Sequence, residues 1–199
     1  MSLEAMNRVL DIDVENRLAD VEPGVITSDL DEHARKHGLF FAPDPASVHL
    51  STVGGNIATD AGGLRCIAHG TTEASVAALE VVLADGSIIH TGARTIKNAT
   101  GLNMTPLFVG SEGTLGVITR ATVRLKPVPE GTPRTFCASF DTIEAAGRAV
   151  TSIVSSNPRP EVLELIDAIC ARLIEDFEPS GLPQPEAALL LGQTVGPTA

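Results

Sequence analysis

The stretch PDPASVHLSTVGGNIATDAGG, residues 43–63, decides how this chain folds. It is rich in glycine and shows almost no helix or strand periodicity. A second glycine stretch, VGSEGTLGVIT, occupies residues 109–119. Glycine is used where a backbone turns sharply or approaches another group closely, and both stretches lead into apolar sequence. The sequence therefore predicts backbone wrapped around a bound ligand, with a large cofactor as the first hypothesis.

Neither stretch is one of the common nucleotide-binding loops. The first lacks G-x-G-x-x-G, and the second lacks the Lys-Ser/Thr of a P-loop. Small residues nevertheless leave backbone N–H groups free to form an anion-binding concavity. Hydroxyl groups at positions 47, 51, 52, 111 and 114 add further donors. These features favour a ligand that carries phosphate.

Composition restricts the possible partners. The chain has 199 residues, enough for one full core or for one domain and part of another. A formal net charge of -11 argues against nucleic acid or an anionic membrane surface as the main partner. No apolar run approaches the roughly 20 residues of a membrane helix, and no signal peptide is visible. Three widely spaced cysteines match no zinc or redox pattern, so we expect reduced, mostly buried thiols in a cytoplasmic protein.

The region before residue 126 is predicted to contain strands and short helices. A helix capped by Thr27 or Ser28 ends at Gly38. Asp85-Gly86 is a strong hairpin signal between two apolar runs. Strands are predicted at 14–25, 76–83, 87–91 and 117–125.

The segment KPVPEGTPR, residues 126–134, indicates a domain boundary, because three prolines and a glycine interrupt regular structure. Beyond it we predict a strand at 135–140, two helices within 143–154 and 166–177, and a buried strand at 187–191. A strand–helix–helix–strand segment has few elements for an independent domain, which suggests a domain cut short.

The ordered series of motifs closely resembles the FAD-linked oxidases of the vanillyl-alcohol-oxidase superfamily. The motifs are APDPASVHLSTVGGNIATDAGG, HG at 69–70, LEVVLADGSIIHTG, and KNATGLNMTPLFVGSEGTLGVITRATVRL. Within that superfamily the chain is most similar to the glycolate oxidase FAD subunit and D-lactate dehydrogenase group. The resemblance covers roughly residues 5 to 195.

The resemblance implies an α+β fold with two parts. Residues 1–134 correspond to the second FAD-binding subdomain, with a mixed, mainly antiparallel sheet and flanking helices. Residues 135–199 correspond to the start of an α+β cap domain that covers the substrate. The implied activity is oxidation of a D-2-hydroxy acid, such as glycolate or D-lactate, by hydride transfer to the flavin.

Matching the motifs residue by residue implies a set of FAD-binding positions and neither a catalytic residue nor a metal ligand. The set comprises Pro43, Asp44, Ser47, Thr52, Gly54, Gly55, Asn56, Asp60, Gly62, Gly63, Gly110, Glu112, Gly113, Gly116, Val117 and Ile118.

The chain also departs from the family pattern. Asp60 stands where the family usually has Asn, His69 and Leu102 where it usually has Tyr. A carboxylate near a pyrophosphate repels it unless paired or turned away. Two family segments have no match here: the N-terminal subdomain with its pyrophosphate loop, and the histidine-rich metal-binding motif of the cap.

Because those segments have no match, we expect an internal piece of an enzyme that binds FAD weakly or not at all and is inactive alone. The alternatives are a non-catalytic remnant or interaction module, and one part of a split flavoenzyme. We expect a homo-oligomer or a partner chain at the surfaces that the missing parts would cover. His33 and His37 have metal-ligand spacing, but a solvated last helical turn is the simpler interpretation.

Overall fold

The computed structural model describes residues 2–157 and 159–196. The chain divides into two compact units, Met1–Val128 and Pro129–Ala199. Within the described residues the first unit contains two antiparallel sheets and the second contains one, with helices between the strands. This arrangement confirms the α+β fold class. The expected boundary after Arg134 stays a prediction, and a strand already begins at Thr132.

The first unit contains seven strands and five helices within its described residues. The strands are β1 Val9–Asp13, β2 Leu18–Val21, β3 Leu39–Phe40, β4 Val76–Val82, β5 Ile88–Gly92, β6 Val117–Arg124 and β7 Lys126–Pro127. The helices are α1 Thr27–Arg35, α2 Val53–Thr59, α3 Cys66–His69, α4 Thr72–Ser75 and α5 Thr105–Phe108.

A five-stranded sheet in the order β1-β2-β6-β4-β5 supports the core of this unit. Side chains alternate between the two faces of each strand. In β6, Ala121 and Val123 are fully buried in a cluster that includes Leu30 of α1 and Ile57 of α2. One hydrophobic cluster therefore fixes α2, which carries the first glycine stretch, relative to the sheet.

A buried carboxylate joins the strands away from that cluster. Asp20 accepts hydrogen bonds from Thr122 (2.6 Å), Arg94 (2.7 Å) and Arg120 (2.8 Å). Burial opposes ionisation of Asp20, but these bonds and the two guanidinium charges outweigh it, so its pKa lies below the usual value. The network links β2 and β6 to the segment after β5.

The structure corrects two predictions in this unit. Residues 14–17 form a turn between β1 and β2, with Arg17 at φ +55°, so a continuous strand from 14 to 25 is wrong. The N-cap of α1 is Ile26 without a side-chain cap, because the Thr27 hydroxyl lies 3.0 Å from the Ser51 carbonyl oxygen instead. The predicted hairpin is confirmed as β4–β5, with Gly86 at φ +85° in its turn.

The second unit contains β8 Thr132–Phe140, α6 Ile143–Val154, β9 Val162–Asp167, α7 Ala168–Phe177 and β10 Ala188–Gly196. Its sheet has the order β8-β10-β9, antiparallel throughout. The prediction of strand–helix–helix–strand is wrong, because residues 162–167 pair with β10. Helix α7 begins after Asp167, whose Oδ1 accepts from the Cys170 amide at 2.7 Å.

One expectation about burial, that of mostly buried thiols, is also wrong. In addition, the apolar side chains of Ile169, Leu173 and Phe177 on α7 are 69%, 61% and 89% exposed. Among the thiols, Cys66 is half-buried, whereas Cys137 and Cys170 are exposed; all three are free. Among the described residues, no helix is long and apolar enough to cross a membrane.

Candidate functional site

The first glycine stretch forms a helix, although its sequence shows no helical pattern. The Thr52 hydroxyl accepts from the Gly55 amide at 3.0 Å and caps α2. Buried Asn56 donates through Nδ2 to the Thr27 hydroxyl at 2.8 Å. A Cβ at Gly54 would lie 2.5 Å from the Pro23 Cβ. Tertiary packing thus overrides the low helix propensity of two adjacent glycines.

The second glycine stretch attaches to the end of that helix. The last carbonyl groups of a helix lack partners within it. Here the Gly110 amide donates to the Ile57 carbonyl at 2.9 Å, and the Glu112 amide donates to the Ala58 carbonyl at 2.8 Å. Two stretches that are distant in sequence therefore lie side by side.

A groove of about 350 Å³ lies between the two stretches. Its walls include predicted FAD-binding residues from both of them. The lining residues are Leu3, Pro23, Thr52, Gly54, Gly55, Ala58, Glu112, Gly113, Gly116, Val117 and Ile118. Of these, Leu3, Pro23 and Ala58 were not predicted from the sequence. The Pro23-Gly24 dipeptide was the available sequence signal, because such pairs mark turns. In the structure the backbone approaches closely there, since a Cβ at Gly24 would lie 2.5 Å from the Leu3 carbonyl oxygen.

The two walls differ in the state of their backbone amides. In the first stretch the amides of residues 53–56 donate to Val25, Pro23 and Thr52. The expected anion-binding concavity is therefore not formed by these amides. In the second stretch, the amides of Gly113, Leu115 and Gly116 donate to no acceptor among the residues that the structure describes. Donors for a polar ligand thus lie on the second wall.

The remaining predicted residues lie outside the groove lining. Pro43 is buried, Ser47 is exposed, and Gly62 packs near the Cys66 sulfur. The Asn56 side chain bonds to Thr27, and the Gly110 amide bonds to the Ile57 carbonyl, as described above. Gly63 allows close packing, because its Cβ would lie 2.3 Å from the Asp44 carbonyl oxygen.

Asp44 is held by the segment that follows the first stretch. Its carboxylate accepts from the Arg65 amide at 3.2 Å and lies 3.5 Å from the Arg65 Nε. Burial nevertheless raises the pKa of Asp44, because the hydrogen bond and the guanidinium charge compensate only in part.

Asp60 is paired within the protein. It ends α2 in the left-handed conformation, with φ +47°. Its carboxylate accepts from the Thr71 hydroxyl at 3.0 Å and from the Glu73 amide at 2.9 Å. Two neutral donors thereby hold the Asp60 carboxylate at the start of α4.

His69 is packed among other side chains. Its Nδ1 lies 2.8 Å from the Lys126 Nζ, and its ring meets Phe40 edge to face at 5.5 Å. The Arg65 guanidinium stacks on the same Phe40 ring at 5.5 Å. Within the described residues, no group of three histidine, cysteine or acidic side chains could hold a metal ion.

The groove fits part of a flavin dinucleotide. A Cβ at Gly113 would meet no atom within 4 Å, and one at Gly55 would meet only the Thr52 hydroxyl at 3.2 Å. These two glycines therefore keep the groove open. Val117 and Ile118 supply apolar surface, and the Gly113 and Gly116 amides supply donors for phosphate or hydroxyl oxygens.

Comparisons with known proteins identify the family of this chain. Residues 1–92 match the model of an FAD binding domain, and residues 132–199 match that of the FAD linked oxidases, C-terminal domain. Glycolate oxidase subunit GlcD of Bacillus subtilis (strain 168) is 46% identical over 192 residues, which are 96% of this chain and 41% of that protein.

Two further comparisons extend this match. A D-lactate dehydrogenase of Archaeoglobus fulgidus is 45% identical over 84% of this chain and 37% of its own length. A crystal form of alkyldihydroxyacetonephosphate synthase superposes with a TM-score of 0.80 at 26% identity, covering 98% of this chain and 37% of that one. The chain thus spans about two-fifths of the length of its curated relatives. It belongs to the FAD-linked oxidases, and FAD is the cofactor for which its fold is built.

Proposed function

We propose that this chain is part of an oxidoreductase that oxidises a small D-2-hydroxy acid, such as glycolate or D-lactate. The observation that carries the proposal is the groove in which two distant glycine stretches meet. The similarity to a glycolate oxidase subunit and to a D-lactate dehydrogenase supports the substrate class.

The chain contributes binding and orientation to this reaction. When bound, FAD supplies the acceptor for the hydride that leaves the substrate carbon. Gly113 and Gly116 present amides to its polar groups, and Val117 and Ile118 exclude water from its apolar surface. Thr52 positions the first wall by capping α2. We assign no residue of this chain to the chemical step.

The other predicted FAD-binding residues act through these walls. Asn56 fixes α2 on α1, and Asp60 ties its end to α4. Gly110 and Glu112 join the second stretch to α2. We propose that Pro43, Asp44, Ser47, Gly62 and Gly63 approach the flavin when it is bound.

We infer that the 199-residue polypeptide alone binds FAD weakly and does not turn over. Ligand sites of about 300–1,000 Å³ bury most of a drug-sized molecule. The groove is at the small end of that range, whereas FAD is larger than such a molecule. Most of the cofactor would stay in water, and the lining residues that the structure describes include no acid–base pair.

The test is purification followed by an assay with glycolate, D-lactate, added FAD and an artificial dye acceptor. A colourless protein without turnover above a heat-killed control is expected. A stoichiometric yellow protein that reduces the dye would contradict the inference that the polypeptide alone binds FAD weakly and is inactive, and turnover of glycolate or D-lactate would support the proposed substrate class.

Two alternatives remain part of the proposal. A non-catalytic remnant or interaction module would fail to bind FAD under any conditions. One part of a split flavoenzyme would gain FAD binding and turnover when mixed with the chain that supplies the remaining segments. Co-expression with neighbouring reading frames separates these cases from each other.

We also propose self-association through the outer face of α7, defined by Ile169, Leu173 and Phe177. These residues lie at i, i+4 and i+8 and form one exposed apolar stripe. Exposed Arg172 and Asp176 lie along one side of that stripe. In an antiparallel pair of α7 helices, Arg172 of one copy would lie near Asp176 of the other, so the face is self-complementary.

Light scattering after size exclusion tests this association. A dimer that becomes monomeric in L173E, but not in the exposed control E144K, is expected. A wild-type monomer at high protein concentration would contradict it.

We place the protein in the cytoplasm, because its free thiols suit a reducing compartment.

A further inference from the structure

A second cavity of the first unit contains a half-buried guanidinium. It has a volume of about 270 Å³ and shares no lining residue with the groove. Its walls come from α4, the start of β4, the loop after β5 and α5. Arg124, at the end of β6, is the cation among its lining residues.

Arg124 has few partners for its charge. A guanidinium carries five N–H donors. The structure gives Arg124 one acceptor, the Val76 carbonyl oxygen. Within the described residues no carboxylate forms an ion pair with it, and burial lowers its pKa without a compensating charge. A half-buried cation in this state is costly unless an anion joins it.

Four further polar side chains line the cavity beside apolar ones. Asn98, Asn103, Thr95 and Thr105 line it, and each can donate a hydrogen bond to an oxyanion. The Thr105 hydroxyl already donates to Thr91 at 3.0 Å, and the Thr95 hydroxyl donates to the Lys97 carbonyl. The two asparagine amide groups are therefore the strongest additional donors.

Glu73 is the acidic residue of the cavity wall. It is exposed, and its amide donates to Asp60. Its carboxylate lies beyond 4 Å from the Arg124 nitrogens, since no ion pair joins them. A negative charge at the wall weakens binding of an anion, so Glu73 supplies a variant whose effect has the opposite sign.

We propose that this cavity binds a small oxyanion, a carboxylate or a phosphate, on the Arg124 guanidinium. Planar guanidinium groups bind both anions through paired N–H donors. The site is separate from the FAD groove and does not depend on the proposed oxidation.

Calorimetric titration of the full chain with inorganic phosphate, and separately with glycolate, tests the proposal without FAD. One-site binding of at least one of the two anions is expected. Tighter binding of phosphate would identify a phosphate site, and tighter binding of glycolate would identify a carboxylate site. R124Q should weaken it at least tenfold, whereas R148Q, which removes the same charge from an exposed position of α6, should leave it unchanged. R124K should be intermediate, because lysine keeps the charge without the paired donors.

R124Q could weaken binding simply by disturbing the fold. E73Q avoids this ambiguity, because it keeps the guanidinium and should strengthen anion binding several-fold, which a disturbed fold would not do. Unfolding curves of each variant, measured without anion, show whether the fold is kept. The proposal is overturned if wild type binds neither anion, if R124Q binds as wild type does, or if E73Q binds no more tightly.

Discussion

The two glycine stretches have similar composition, but individual glycines within them have different roles. Gly54 of the first stretch permits close packing: α2 approaches Pro23 so tightly that a Cβ at Gly54 would overlap it. Its first-turn amides are all used within the protein. In the second, Gly113 has φ +73° and open space around its missing Cβ, and its amide donates to no acceptor among the residues that the structure describes. Glycine content alone therefore does not tell a packed wall from a ligand-facing one.

Gly54 provides the largest expected effect of this difference. In G54A the new methyl group would lie 2.5 Å from the Pro23 Cβ and 2.9 Å from the Pro23 carbonyl oxygen. Because backbone atoms cannot move aside easily, we expect a loss of about 3 kcal/mol, the upper end for overpacking. Urea unfolding measures it. An unfolding free energy like that of wild type would contradict the packing role of Gly54.

Gly55, one residue later, should behave in the opposite way. In G55A the methyl group meets only the Thr52 hydroxyl at 3.2 Å and points into the groove. Alanine also favours a helix by about 0.5–1 kcal/mol, so stability should be kept. We expect FAD affinity to fall about tenfold, which corresponds to ~1.4 kcal/mol. Unchanged affinity in a millimolar FAD titration would show that the ligand does not reach this wall.

The Thr52 cap sharpens the comparison further. Replacing a threonine N-cap by alanine costs about 1 kcal/mol. Thr142 caps α6 in the same way, accepting from the Ala145 amide at 3.1 Å. T52A and T142A should therefore lose similar unfolding free energy, but only T52A should weaken FAD binding. Equal FAD affinities in the two variants would contradict the role of Thr52 in the groove.

The smallest effect concerns pH. Asp44 has a raised pKa in the folded state. An acid with a raised folded pKa destabilises the fold when ionised, so its contribution to stability falls as pH rises just above its ordinary value of 3.8. D44N cannot ionise and should lack this fall, whereas D141N, at an exposed position, should keep it. Unfolding by urea at closely spaced pH values measures the difference, and identical curves for D44N and wild type would exclude it.

The fold class was predicted from the resemblance to the FAD-linked oxidases, which rests on an ordered series of motifs. The two glycine stretches and the hairpin at Asp85-Gly86 were predicted from local signals, namely glycine spacing and turn residues. The sequence did not predict α2, because Gly54 and Gly55 lower helix propensity and the stabilising contacts with Pro23 and Thr27 are distant in sequence. It also merged β9 with α7, because apolar residues continue from Ile166 into the helix and the pairing with β10 is not visible locally.

The hydrogen-bond partners of the site residues could not be predicted either. The Asp60 carboxylate accepts from Thr71 and Glu73 only because α4 lies close to the end of α2. The same holds for Gly110 and Glu112, which meet the end of a helix that the sequence did not reveal. Site residues that act through backbone contacts of this kind become recognisable only when the fold is known.

Amide chemical-shift mapping tests the central claim, that FAD binds between the two stretches. Labelled protein is titrated with FAD to millimolar concentration and followed by two-dimensional NMR. We expect the largest shifts at Gly55, Ala58, Gly113 and Gly116, with a dissociation constant weaker than about 1 μM because little of the cofactor is buried. Shifts confined to residues outside the groove, or none at all, would contradict the account.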